Sequence, residues 1–241
     1  MTPPVYEVGA SGIYQDDNFV YVTNEKYIHE HYDIFNNRKL IPASLNPKYY
    51  GPYDGSIPVV VTFYNYLDAS TDPNAGELFA DWLKEPKVEP NSYLNIVKDI
   101  KHSLYGRTNT RTWGGAIPVS TENVPEVLRL YRCALAYSRT ETAIATAQIL
   151  ASGVPIIGWV DSTNELRRYI KHGESGFITR KVKEAQSIIK KLISDHGMAK
   201  EIGAAGRQAY YEYYPWNKFK SQWEKLINSM VNKANRKVVN G

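Results

Sequence analysis

CALAYSRTETAIATAQILASGVPIIGWV, residues 133–160, decides the fold. Its first six residues, CALAYS (133–138), form an apolar run too short for a helix and read as a buried strand. TAIATAQILASG (142–153) reads as a helix, rich in Ala and closed by Gly153 in the position of a C-terminal cap. VPIIGWV (154–160) is a second buried strand. Strand, helix and strand in so short a span predict a parallel pair, because parallel strands need a crossover between them.

The same alternation extends outward. Upstream, VPEVLRLYR predicts a helix opened by Pro125, and IPVVVTFYNYL (57–67) is nearly continuous in apolar and β-branched residues, as expected of a strand covered on both faces. GELFADWLKE places Leu78, Phe79, Trp82 and Leu83 on one helical face. Residues 92–105, SYLNIVKDIKHSLY, fit a helix through Leu94, Val97, Ile100 and Leu104; the LNIV core also fits a short strand, and the balance favours helix. FVYVTN (19–24) reads as a strand followed by a helix over EKYIHEHYDIF. RKLIPASLNPKYYGPYDGS, with its prolines and glycines, reads as a linker that sustains neither helix nor sheet interior.

Downstream, NELRRYIKHG predicts a helix and GFITR a short strand. A long helical stretch broken near Gly197 and a terminal helix over PWNKFKSQWEKLINSMVNKA follow. The expected architecture is an α/β, Rossmann-like doubly wound parallel sheet. Its expected divisions are a short N-terminal segment at 1–50, a ligand-binding domain at 51–214, and a C-terminal helix with a basic tail at 215–241.

Composition narrows the function classes. A balance of 29 Lys and Arg against 25 Asp and Glu, net +4, is too small a surplus to argue for nucleic acid. The single cysteine, Cys133, forbids an internal disulfide and a cysteine-based zinc site. No apolar run approaches the ~20 residues that cross a bilayer, and MTPPVYEVGASG lacks the order of a signal peptide. The expected location is therefore cytoplasmic. Nineteen Tyr, with Tyr49, Tyr50, Tyr53, Tyr64 and Tyr66 in polar surroundings, suit a wet cleft as well as ordinary half-buried packing.

In parallel sheets ligands bind beyond the carboxyl ends of the strands, where helix N-termini offer free N–H groups and partial positive charge. The junction Ser138, Arg139, Thr140, Glu141 is the candidate. Beyond it the N–H groups of Thr142, Ala143, Ile144 and Ala145 suit a diphosphate, and the small Ala143 and Ala145 let its oxygens approach. Glu141 can accept hydrogen bonds from hydroxyls, or act simply as a first-turn acid. Gln148 lies two turns along the same face. Gly115, in the TWGG turn, admits a planar base close to the backbone. Arg107 and Arg111 flank that turn and can neutralise phosphate, although solvated loop arginines are commoner. His29 and His31 face different sides of a helix, and no metal site, catalytic triad, Walker sequence or dinucleotide glycine fingerprint occurs. GAAG (203–206) sits inside a helix.

VPEVLRLYRCALAYSRTETAIATAQILASGVPIIGWVDSTNELRRYIKHGESGFITR, residues 124–180, resembles the C-terminal nucleotide-sugar-binding domain of retaining glycosyltransferases with the GT-B fold, in particular glycosyltransferase family 4. SRTE, QILASGVPII and NELRRYIKHGESGFIT stand in that family's order. TWGGAIP, KLIPASLNPKYYGPY and YYPWNKFKSQWEKLI look like its flanking turn, interdomain linker and terminal helix.

The resemblance implies that Glu141 faces the transferred sugar, Thr142 to Ala145 the diphosphate and Gln148 the ribose, with Ser138, Arg139 and Thr140 alongside the donor. The implied activity is transfer of a sugar from a nucleoside diphosphate sugar with retention, without metal or other cofactor. The acceptor is a glycan, lipid, protein or modified nucleic acid. Three departures accompany it. Glu141 and Gln148 are one residue closer than the family's paired acids. YNYLDASTDPNAG replaces the segment that supplies an Arg and a Lys to the diphosphate, contacts worth ~1.5 to 3 kcal/mol each. The N-terminal domain is much reduced, so a homo-oligomer or partner chain completing the acceptor site is the accompanying expectation, and a non-catalytic sugar-nucleotide or carbohydrate binding subunit is the alternative. The basic tail KLINSMVNKANRK also suits contact with an anionic membrane surface.

Overall fold

The computed structural model describes residues 20–23, 29, 37–63, 95–105, 123–138, 144–160 and 166–240. The chain divides into two compact units, one of Met1–Leu45 with Tyr211–Gly241 and one of Asn46–Tyr210.

In the first unit β1 (Tyr21–Thr23) pairs in parallel with β2 (Arg38–Leu40), Tyr21 opposite Arg38 and Thr23 opposite Leu40. Finding a strand at Arg38–Leu40 corrects the expectation that the linker opens without sheet. The prolines begin only at Pro42, so the three residues before it keep every N–H for pairing. Of the helix expected after β1, only His29 is described, and it is helical. Its Nδ1 lies 3.0 Å from the buried Thr23 Oγ1.

The second unit is a five-stranded, wholly parallel sheet. Its strands are β3 (Ile57–Phe63), β4 (His102–Tyr105), β5 (Tyr131–Ser138), β6 (Ile156–Val160) and β7 (Phe177–Ile178), in the spatial order β4-β3-β5-β6-β7. Its described helices are α1 (Val124–Leu128), α2 (Ile144–Ala151), α3 (Leu166–Tyr169), α4 (Val182–Ser194) and α5 (His196–Tyr213), the last running past the end of the unit. Val60 and Val61 are both fully buried, so β3 is covered on both faces as its unbroken apolar run requires. On one face Val60, Cys133, Leu135, Ile157 and Trp159 meet Ala185, Ile189 and Leu192 of α4, spaced i, i+4, i+7. α5 turns inward Ala199, Ile202, Gly203, Gly206 and Tyr210 at the same periodicity.

Several boundaries differ from expectation. Within 92–105 the described residues 95–97 are helical but His102–Tyr105 is the edge strand β4, hydrogen-bonded along Val60–Phe63. Alternate burial of a four-residue strand matches a helical spacing over so few positions, which is why local pattern misassigns it. Tyr131 and Arg132 belong to β5 rather than to the preceding helix. The long helical stretch breaks at Asp195, which is extended, and Gly197 lies inside α5. Met198 N donates to Asp195 Oδ1 at 2.9 Å, so the break is built by a capping carboxylate. α6 (Trp216–Asn240) returns to the first unit. The helix expected over GELFADWLKE (76–85) lies outside the described residues.

Candidate functional site

The strand order creates one topological switch point. From β3 the chain goes to β4 on one side and later to β5 on the other, so β3 and β5 are adjacent strands whose connections leave in opposite directions. The crevice at the carboxyl ends of two such strands is where open parallel sheets take their ligands. β3, β4, β5 and β6 all end at this edge, since the strands are parallel.

β5 ends at Ser138, opposite Val160 of β6, and α2 is described from Ile144. Ile144 is 58% exposed and Ala145 half-buried. The opening turn of α2 is therefore solvent-accessible, whereas Ala147, Ile149, Leu150 and Ala151 are buried. The helix closes as expected: Gly153 has φ +69°, and its N–H donates to the Leu150 carbonyl at 2.9 Å.

Gln148 lies one turn beyond Ile144, about 6 Å along the helix. It is buried, and its side chain lies near the Tyr50 hydroxyl. Burial raises the pKa of that hydroxyl, and the Gln148 contact offsets part of the rise by favouring the phenolate. Tyr50 is held in turn by α5: Arg207 donates through Nη2 to the Tyr50 carbonyl at 2.8 Å and through Nη1 to that of Gly51 at 3.0 Å. Sequence reading named Gln148, and Tyr50 only as one of several tyrosines suited to a wet cleft; it did not name Arg207. The signal lay in KYYGPY, where a glycine and a proline follow the paired tyrosines, but Gln148 is 98 residues away and no local pattern announces it.

Of the remaining candidates, Arg139, Thr140, Glu141, Thr142 and Ala143, and likewise Arg107, Arg111 and Gly115, lie outside the described residues. Ser138 closes β5, and Ile144, Ala145 and Gln148 lie on α2. The buried Arg132 serves the scaffold. It donates to the Gly55 carbonyl at 2.8 Å and to the Ile193 carbonyl at 2.7 Å. Among the described residues no group of three or more His, Cys, Asp or Glu could hold a metal ion. Nor is any described helix long and apolar enough to cross a membrane.

No protein-family model matches the sequence, and no curated protein matches it. Solved structures do match. A mutant of S. aureus TarM, in complex with fondaparinux, alpha-GlcNAc-glycerol and UDP, superposes with a TM-score of 0.60 at 13% identity, over 87% of this chain and 43% of that one. Sucrose-phosphate synthase from Thermosynechococcus elongatus gives 0.58 at 13%, over 92% and 61%. The pneumococcal O-GlcNAc transferase GtfA, in complex with UDP and GlcNAc, gives 0.55 at 13%, over 88% and 45%. These are GT-B glycosyltransferases, and the likeness shows a shared α/β fold. The chain spans less than two thirds of the length of each of them.

Proposed function

We propose that this chain binds a nucleoside diphosphate sugar at the carboxyl edge between β3 and β5 and acts in transfer of the sugar to an acceptor, with retention of configuration and without a metal ion. One observation carries the reading: α2 opens, with an accessible first turn, where the strand order reverses. A helix start concentrates N–H groups that lack intrahelical acceptors, together with the positive end of the macrodipole, and a pyrophosphate matches both. The described solved structures agree in fold, and two of them hold UDP.

In this reading the first turn of α2 stabilises the charge that grows on the departing diphosphate, with Arg139, Arg107 and Arg111 as the cations at hand. Glu141 orients the sugar hydroxyls, and Gln148 reaches the ribose from beside Tyr50.

Calorimetric titration of the purified chain with UDP, GDP and their sugars tests this. The expected result is micromolar binding of one nucleotide sugar, with Glu141→Ala weakening the sugar nucleotide about tenfold and the bare nucleotide less. Transfer is expected to survive chelating agents and to leave the anomeric configuration unchanged. A chain that binds none of these nucleotides overturns the reading; binding without turnover, alone or with partners, favours a donor-binding subunit.

A further inference from the structure

α6 is 25 residues long, about 37 Å at 1.5 Å per residue. Its first half packs along one face. Trp216, Phe219 and Trp223 stack in sequence with centroids 5.4 and 6.4 Å apart, and Leu226 is buried. From Ile227 to Arg236 every residue is exposed.

The apolar stripe nevertheless continues. Ile227, Met230, Val231 and Ala234 recur at i, i+3, i+4 and i+7, the spacing of one helix face. Ile227, Met230 and Val231 are 53%, 40% and 51% exposed. Lys225, Ser229, Asn232 and Arg236 fall on the opposite side at 100° per residue. A stretch facing only water has no use for such segregation.

Charge identifies what covers the stripe. Within Trp216–Asn240 stand Lys218, Lys220, Lys225, Lys233, Arg236 and Lys237 against Glu224 alone, a balance of +5 in a chain whose total is +4. The rest of the molecule is thus about neutral, and the basic surplus is confined to this helix. A second copy would bring the same positive charge to the stripe, which disfavours self-pairing. Beyond Leu226 the stripe also lacks the Trp, Tyr or Arg anchors that protein pockets select, and it has no regular Leu seam. A fluid, anionic boundary needs only apolar area and positive charge.

We propose that the exposed half of α6 docks on an anionic lipid surface, inserting Ile227, Met230 and Val231 among the acyl chains while Lys and Arg meet the headgroups. The inference is independent of the donor reading.

Co-sedimentation of the full chain with vesicles of phosphatidylcholine alone, and with one third phosphatidylglycerol, tests it. Binding to the anionic vesicles is expected to exceed that to the neutral ones at least tenfold and to fall with added salt. Lys233→Gln with Arg236→Gln is expected to weaken it on the order of thirtyfold, since each basic residue near the surface contributes about a factor of five. Ile227→Glu with Val231→Glu is expected to abolish it while leaving the far-UV spectrum and melting temperature of the chain unchanged. Failure of the wild-type chain to sediment with anionic vesicles overturns the proposal. So does a folded Ile227→Glu, Val231→Glu variant that binds as well as wild type, or a wild-type dimer in solution that this variant dissolves while vesicle binding is absent.

Discussion

Gly203 of α5 lies directly against the carbonyl oxygen of Gly153, so close that no β-carbon fits between the helix and the turn that closes α2. Three residues on, Gly206 approaches the Ser175 carbonyl in the same way. The GAAG sequence is therefore a packing device, which brings the α5 backbone onto the loops that precede β6 and β7.

Gly203→Ala is expected to destabilise the protein by about 3 kcal/mol, because the neighbours it meets are backbone that cannot rotate away. Gly173→Ala is the control. Its β-carbon meets nothing, and only the strain of φ +83° remains, about 1 kcal/mol. Urea unfolding followed by circular dichroism measures both; equal losses would contradict the close approach.

Tyr50→Phe removes the hydroxyl beside a buried amide. The expected cost is about 1 to 2 kcal/mol of stability from the buried Gln148 group. If Gln148 meets the ribose, Gln148→Ala is expected to weaken nucleotide binding about tenfold, and Tyr50→Phe by less. Calorimetry on the two variants separates the effects, and an unaltered affinity in Gln148→Ala removes that residue from the donor site.

Cys133 is the single cysteine, with 0% exposure in β5, and burial pushes its thiol pKa well up. Dithionitrobenzoate is expected to leave the native chain unlabelled and to react with one thiol per chain as denaturant opens the sheet. Immediate labelling would show that the sheet opens locally.

Stability is expected to fall in alkali. Burial raises the hydroxyl pKa values of Tyr50, Tyr53 and Tyr105, the last pushed up to about 12 with the Tyr131 hydroxyl beside it at 2.6 Å. Each folded value stands above its unfolded one. The contribution is therefore fully present below about pH 9 and is lost as the pH rises through the range where the unfolded Tyr hydroxyls release protons first. Melting temperatures between neutral pH and about pH 11 measure the slope, and a flat profile would contradict it.

The strands β3, β5 and β6 and the glycine closing α2 are legible in the sequence, because continuous apolar runs and a positive-φ glycine are local consequences of burial and backbone sterics. So is the amphipathic period of α4 and α6. The edge strand His102–Tyr105 and the pairing of β2 with β1 were decided by partners distant in the chain, since a three- or four-residue strand is specified by the ladder it joins. The sequence alone likewise sets the charge of α6 and the identity of Gln148. Only the tertiary structure determines that Gln148 is buried against Tyr50, that β3 and β5 form the switch point, and that half of the apolar stripe of α6 is left facing water. Each of these depends on contacts between segments tens of residues apart, which no local period encodes.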